Sequence, residues 1–99
     1  MKTLLIKVSD EKTAVDILTN ALQLELRSII VGLQRTRSML RNYEQKYNMK
    51  SEEFYKKFMK GELEEKDEFI DWAGEYEIYQ ELTRRKKIIE ELLKNLQRE

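Results

Sequence analysis

From Asp10 to Asn48 the chain runs without a proline, and Gly32 is the single glycine inside that stretch. Proline and glycine end helices: proline lacks an N–H donor and clashes with the turn before it, and glycine loosens the backbone. A segment without such breaks over residues 10–48 reads as one continuous helix. Gly32 costs it about 1 kcal/mol, which a helix of this length absorbs, and allows another backbone to come close. Ser9 or Asp10 supplies the N-cap, and Glu11 favours the positive end of the helix dipole.

The apolar residues of this helix repeat with a heptad period. Leu22, Leu26, Ile29, Leu33, Leu40, Tyr43 and Tyr47 follow alternating steps of four and three, with Thr36 in the missing place. Val15 and Leu18 continue the seam upstream through a stutter. The seam is an oligomerisation element in this reading. A second set, Ile17, Ala21, Leu24, Ile30 and Val31, widens the apolar surface of the first half, which is expected to be buried on more than one side. From Gln34 to Lys46 the exterior is polar, with Arg35, Arg37 and Arg41, and this half is expected to project as a two- or few-stranded arm.

Residues 3–8, TLLIKV, are rich in β-formers and too short to stand as a helix. A lone strand cannot satisfy its ladder bonds, so this one would pair with its copy across a twofold axis. A frayed or helical N-terminus is the other reading. Past Asn48, Ser51 reads as the cap of a short helix over 51–60, with Phe54, Tyr55, Phe58 and Met59 on one face and Gly61 as its left-handed terminator. Leu63 plugs the linker that follows. A last helix over 67–97 carries Phe69, Trp72, Tyr76 and Tyr79 at steps of three and four, then Ile78, Leu82, Ile89, Leu92, Leu93 and Leu96. The fold class is therefore mainly α. It is a single helical domain over 1–99, a long hairpin or coiled-coil-like bundle with a short middle helix and an N-terminal strand that pairs across a dimer. The two long helices can pair antiparallel around the short one.

The charges balance, with 19 Lys and Arg against 19 Asp and Glu. They divide unevenly: residues 1–50 hold nine bases and five acids, and residues 51–99 hold ten bases and fourteen acids. That dipole orients a partner or the other half of the hairpin, or is simply a solvated surface. No cysteine or histidine occurs, which removes disulfides, thiolate metal sites and most acid–base constellations. No catalytic set, cofactor motif or phosphate-binding loop is expected. Glu68, Asp71 and Glu75 share a helical face and could gather a divalent cation, but a solvated or ion-paired acidic face is the favoured reading. The opening apolar run is too short for a signal-peptide core, and no stretch is long enough to span a membrane, so the expected location is cytoplasmic.

Phe69, Trp72, Tyr76 and Tyr79 could anchor a partner protein, since large aromatics dominate binding hot spots, or could fill the hairpin core. Lys2 and Lys7 flank the N-terminal run, and a two-stranded ribbon fits the DNA major groove. Arg27, Arg35, Arg37, Arg41 and the block Arg84 to Lys87 are further basic groups, all diluted by acids.

The stretch YEQKYNMKSEEFYKKFMKGELEEKDEFIDWAGEYEIY, residues 43–79, resembles small prokaryotic proteins treated as antitoxins of type II toxin–antitoxin modules. In that group a long helix ends in a Tyr-Gly-Met-like turn, followed by a Phe-containing helix closed by Gly-Glu-Leu, an acidic linker and an aromatic helix. Tyr47, Met49, Phe54, Phe58, Gly61, Leu63, Asp67, Trp72, Gly74 and Tyr76 fit that pattern. The opening LLIKVSDE is similar to the first strand of ribbon-type DNA-binding antitoxins. A ribbon–helix–helix domain, however, needs a turn after about a dozen helical residues, and no breaker lies between Asp10 and Gly32. The resemblance implies a non-enzymatic protein that binds a cognate toxin, with operator binding as a further expectation. A self-associating structural protein and a DNA-binding regulator that uses the N-terminal strand are the alternatives.

Overall fold

A computed structural model describes residues 1–96 and contains three helices. Helix α1 spans Glu11–Tyr47, α2 spans Ser51–Met59 and α3 spans Asp67–Leu96. The expected end of the last helix at Gln97 lies outside the described residues. At about 1.5 Å per residue the 37 residues of α1 account for the 57 Å long axis. α3 folds back along α1, and α2 packs mainly on α3 at one end of this hairpin.

Both ends of α1 and the end of α2 have local causes. The cap of α1 is Asp10: its carboxylate accepts from the Thr13 N–H at 3.0 Å and the Thr13 hydroxyl at 2.8 Å. These bonds hold the Asp10 carboxyl below the ordinary range, the Thr13 backbone bond contributing most. α1 ends where Asn48 turns left-handed, at φ 51°, and the N–H groups of Asn48 and Met49 both donate to the Glu44 carbonyl. α2 stops at a second left-handed residue, Gly61 at φ 71°. There Gly61 donates to Phe58 and Glu62 to Lys57, the paired bonds of a Schellman motif.

The core has two parts. At the α2 end Leu40, Phe54, Phe69, Trp72 and Ala73 are buried, enclosed by Tyr43, Tyr47, Phe58, Leu63 and other half-buried neighbours. Further along the hairpin Ile29, Leu33 and Ile89 are buried, with Leu22, Leu26, Leu82 and Leu93 around them. Gly32 sits at the close approach between the two: a Cβ there would lie 3.0 Å from Leu82 Cδ1. Thr36 is buried within the seam, and its hydroxyl donates to the Leu33 carbonyl of its own helix.

Several expectations need correction. The heptad seam is occupied within one chain. Leu22, Leu26, Ile29, Leu33, Leu40, Tyr43 and Tyr47 pack in the two clusters that α3 closes, so they are hairpin core. The segment Gln34 to Lys46 does not project as an arm, because Thr36 and Leu40 are buried in that hairpin. Residues 3–8 form neither strand nor helix in the single chain, and Leu4, Leu5, Ile6 and Val8 are exposed. A lone strand cannot satisfy its own ladder bonds, so this segment has no strand geometry to settle into within the described hairpin. The second apolar set on α1 is also exposed, because a two-helix hairpin supplies α1 with one neighbour and so covers one face only.

Candidate functional site

The aromatic segment of α3 divides between core and surface. Trp72 is fully buried, with the Phe54 ring parallel to it at 3.7 Å and the Tyr43 ring stacked at 5.5 Å. Its Nε1–H donates to the Ser51 hydroxyl at 2.9 Å, so the one polar atom of the indole is satisfied. Ser51 does not cap α2 with its side chain, contrary to expectation. It is the first residue of the helix, and its own N–H donates to Glu44 Oε2 at 2.8 Å. A carboxylate from α1 thus does the capping and frees the serine for the tryptophan. Phe69 is also buried and packs edge-on to Phe54 and Tyr47. Phe69 and Trp72 thus fill the hairpin core of the single chain.

Tyr76 and Tyr79 remain half-buried and line a surface cleft with Arg37, Arg41, Glu44 and Glu52. The Arg37 guanidinium lies 5.8 Å from the Tyr79 ring centroid, within cation–π range. Burial pushes the Tyr76 hydroxyl above the ordinary tyrosine range, with Glu52 and Tyr79 adding to it. Tyr55 from α2 donates to Glu77 Oε2 at 2.6 Å, which raises the Tyr55 hydroxyl and ties α2 to α3 on this side. The cleft is open, mixed in charge and accessible. It is the accessible part of the expected protein-binding face.

The acids of α3 do not converge. Glu68 accepts from Lys46 Nζ at 2.6 and 2.8 Å and from the Tyr47 hydroxyl at 2.9 Å. Among the described residues no group of three acids is placed to hold a metal ion. The Lys46 bond first, and the Tyr47 bond next, hold the Glu68 carboxyl below its ordinary range. A carboxyl lowered in the folded state stabilises above its unfolded value and loses that contribution as pH falls through the folded one. Thermal melts of the wild type and Glu68→Gln from pH 7 to pH 3 are therefore expected to differ at neutral pH and to converge in acid. The difference is small, since this is a surface ion pair.

Lys2 and Lys7 are exposed in the irregular N-terminal segment, on either side of Leu4, Leu5 and Ile6. Sequence reasoning did not single out Glu44 or Glu77 as partners. Their only signal is position, since each lies near a turn or a helix face that the fold brings against α2. It also mistook the outer stripe of α1 for core. Ile17, Leu24 and Val31 are 61%, 63% and 65% exposed.

Fold and surface together define an all-α three-helix protein with an aromatic core at one end. Among the described residues no helix is long and apolar enough to cross a membrane. No family model, curated protein or solved structure matches the chain.

Proposed function

We infer that this chain is a non-enzymatic protein-interaction module that binds and neutralises a cognate toxin. One observation carries the reading: the hairpin closes its own core and leaves an apolar N-terminal segment, Leu4, Leu5, Ile6 and Val8, at 52–86% exposure with no partner in its own fold. Docking on another chain would give such a segment the apolar burial it lacks here. The resemblance over residues 43–79 supports the toxin as that other chain. Of its matching residues, Tyr47, Met49, Phe54, Phe58, Leu63, Trp72 and Tyr76 belong to the aromatic core or its rim, whereas Gly61, Asp67 and Gly74 do not. The resemblance therefore speaks mainly for a shared framework, and the recognition surface is the N-terminal segment together with the Tyr76–Tyr79 cleft at the rim of that framework.

Co-expression with the product of the adjacent gene tests this. The neighbour alone is expected to arrest growth. The pair is expected to restore growth and to purify as one complex, and a Leu5→Asp, Ile6→Asp variant is expected to lose both effects. Recovery of this chain as a homo-oligomer alone, with no rescue, would overturn the reading. Exposed Lys2 and Lys7 favour the DNA-binding alternative only if the chain shifts its own upstream DNA at low salt and Lys2→Ala, Lys7→Ala abolishes that shift.

A further inference from the structure

The outer face of α1 has a heptad order of its own. Ile17, Leu24 and Val31 recur every seven residues, and half-buried Ala14 and exposed Ala21 and Ser28 alternate with them at steps of three and four. Large side chains thus occupy one heptad position and small ones the other. That pattern lets two helices approach closely, with each large side chain seated over a small one. The seam is flanked by opposite charges, both exposed: Asp10, the N-cap whose carboxylate Thr13 holds, precedes it and Arg35 follows it.

These features fit one occupant, a second copy of the same chain. We propose that this face of α1 docks antiparallel on the same face of a partner subunit about a twofold axis, with Leu24 over the partner subunit's Ala21. In that register Ile17 meets the partner subunit's Ser28 and Val31 meets the partner subunit's Ala14. Every layer then pairs a large residue with a small one. The same register brings Asp10 against the partner subunit's Arg35 at both ends, so the surface is self-complementary in shape and charge. A parallel pair would set arginine against arginine and aspartate against aspartate. A slip of one heptad would place Arg35 on an apolar residue or beyond the partner helix seam. The neighbouring cleft has an apolar floor of Ala21, Ile88 and Leu92 and a charged edge of Glu25, Arg84 and Arg85, and it extends the surface onto α3.

This dimer differs from one built on paired N-terminal strands. At about 1.5 Å per residue the two Asp10 positions lie about 38 Å apart, more than the roughly 31 Å that full antiparallel pairing of residues 3–8 spans. The fully paired ribbon and this dimer exclude one another, and neither depends on a toxin being the partner.

The absence of cysteine makes the test direct. Full-length Ile17→Cys and Ser28→Cys chains are mixed and oxidised, and each is also oxidised alone. The mixture is expected to yield a disulfide-linked heterodimer, and neither variant alone is expected to cross-link. Cross-linking of Ile17→Cys with itself would overturn the antiparallel register, and so would Leu5→Cys cross-linking while the mixture does not. In light scattering the wild type is expected to show twice the 12.0 kDa chain mass. Leu24→Glu, at an exposed site, is expected to keep its helical circular dichroism and to weaken association at least tenfold. A wild-type monomer at high concentration, or an undiminished Leu24→Glu dimer, would overturn the proposal.

Discussion

Trp72→Ala is expected to destabilise the chain by about 3–5 kcal/mol, the range for removing a large aromatic from a packed core. Domains of this size hold about 5–15 kcal/mol in total, so the variant is expected to lose a large share of its stability and to unfold at a much lower urea concentration. The effect is large because one side chain joins all three helices. Its ring faces Phe54 of α2 at 3.7 Å and Tyr43 of α1 at 5.5 Å, and its Nε1 reaches Ser51 at the start of α2. Truncation leaves a void among rings that cannot collapse without moving a helix, and leaves the buried Ser51 hydroxyl without its donor. Trp72→Phe keeps an aromatic ring beside Phe54 but still removes that donor, so it is expected to lose less. Urea unfolding followed by helical circular dichroism orders the three proteins as wild type, Trp72→Phe, Trp72→Ala. A loss below about 1 kcal/mol for Trp72→Ala would mean that the aromatic cluster is not the core.

The same residue shows what the sequence could and could not convey. Phe69, Trp72, Tyr76 and Tyr79 share a helical spacing, which states that a face is used but not by what. Only the fold divides them, burying the first two against Phe54 and leaving the tyrosines at a cleft. The helix limits near Asp10, Asn48 and Gly61 were legible, because caps and left-handed residues act within a few positions of themselves. The role of Glu44 was not, since its bond to Ser51 exists only after the chain has reversed direction. The heptad seam announced a partner helix without saying whose it was. Here α3 of the same chain takes it, and that choice in turn strips cover from Ile17, Leu24 and Val31. Both errors have one origin. Period reveals faces, and the number of neighbours available to cover them is a property of the fold.

Leu33→Asp is expected to open the far part of the hairpin, at a cost of more than about 4 kcal/mol at neutral pH. Leu33 is buried in one cluster with Ile29 and Ile89, packed round by Leu22, Leu26, Leu82 and Leu93, so a carboxylate at this position sits among apolar side chains. Burial disfavours the charged form and raises the pKa of such a group above its unfolded value. A carboxyl with a raised folded pKa is best tolerated when protonated, so the defect is expected to shrink as pH falls towards about 4. Hydrogen exchange is expected to show accelerated amides around Leu26 and Leu33 on α1 and Leu82 and Ile89 on α3. Protection should persist near Leu40 and Trp72, where the aromatic cluster closes the hairpin independently. Leu24→Asp supplies the contrast, with the same substitution on the same helix but at an exposed position. It should leave the melt of the isolated chain nearly unchanged and act only on association. Equal destabilisation by both variants at concentrations where the chain is monomeric would mean that α1 has no distinction between an inner and an outer face. The hairpin and the dimer proposed on its outer stripe would then fall together.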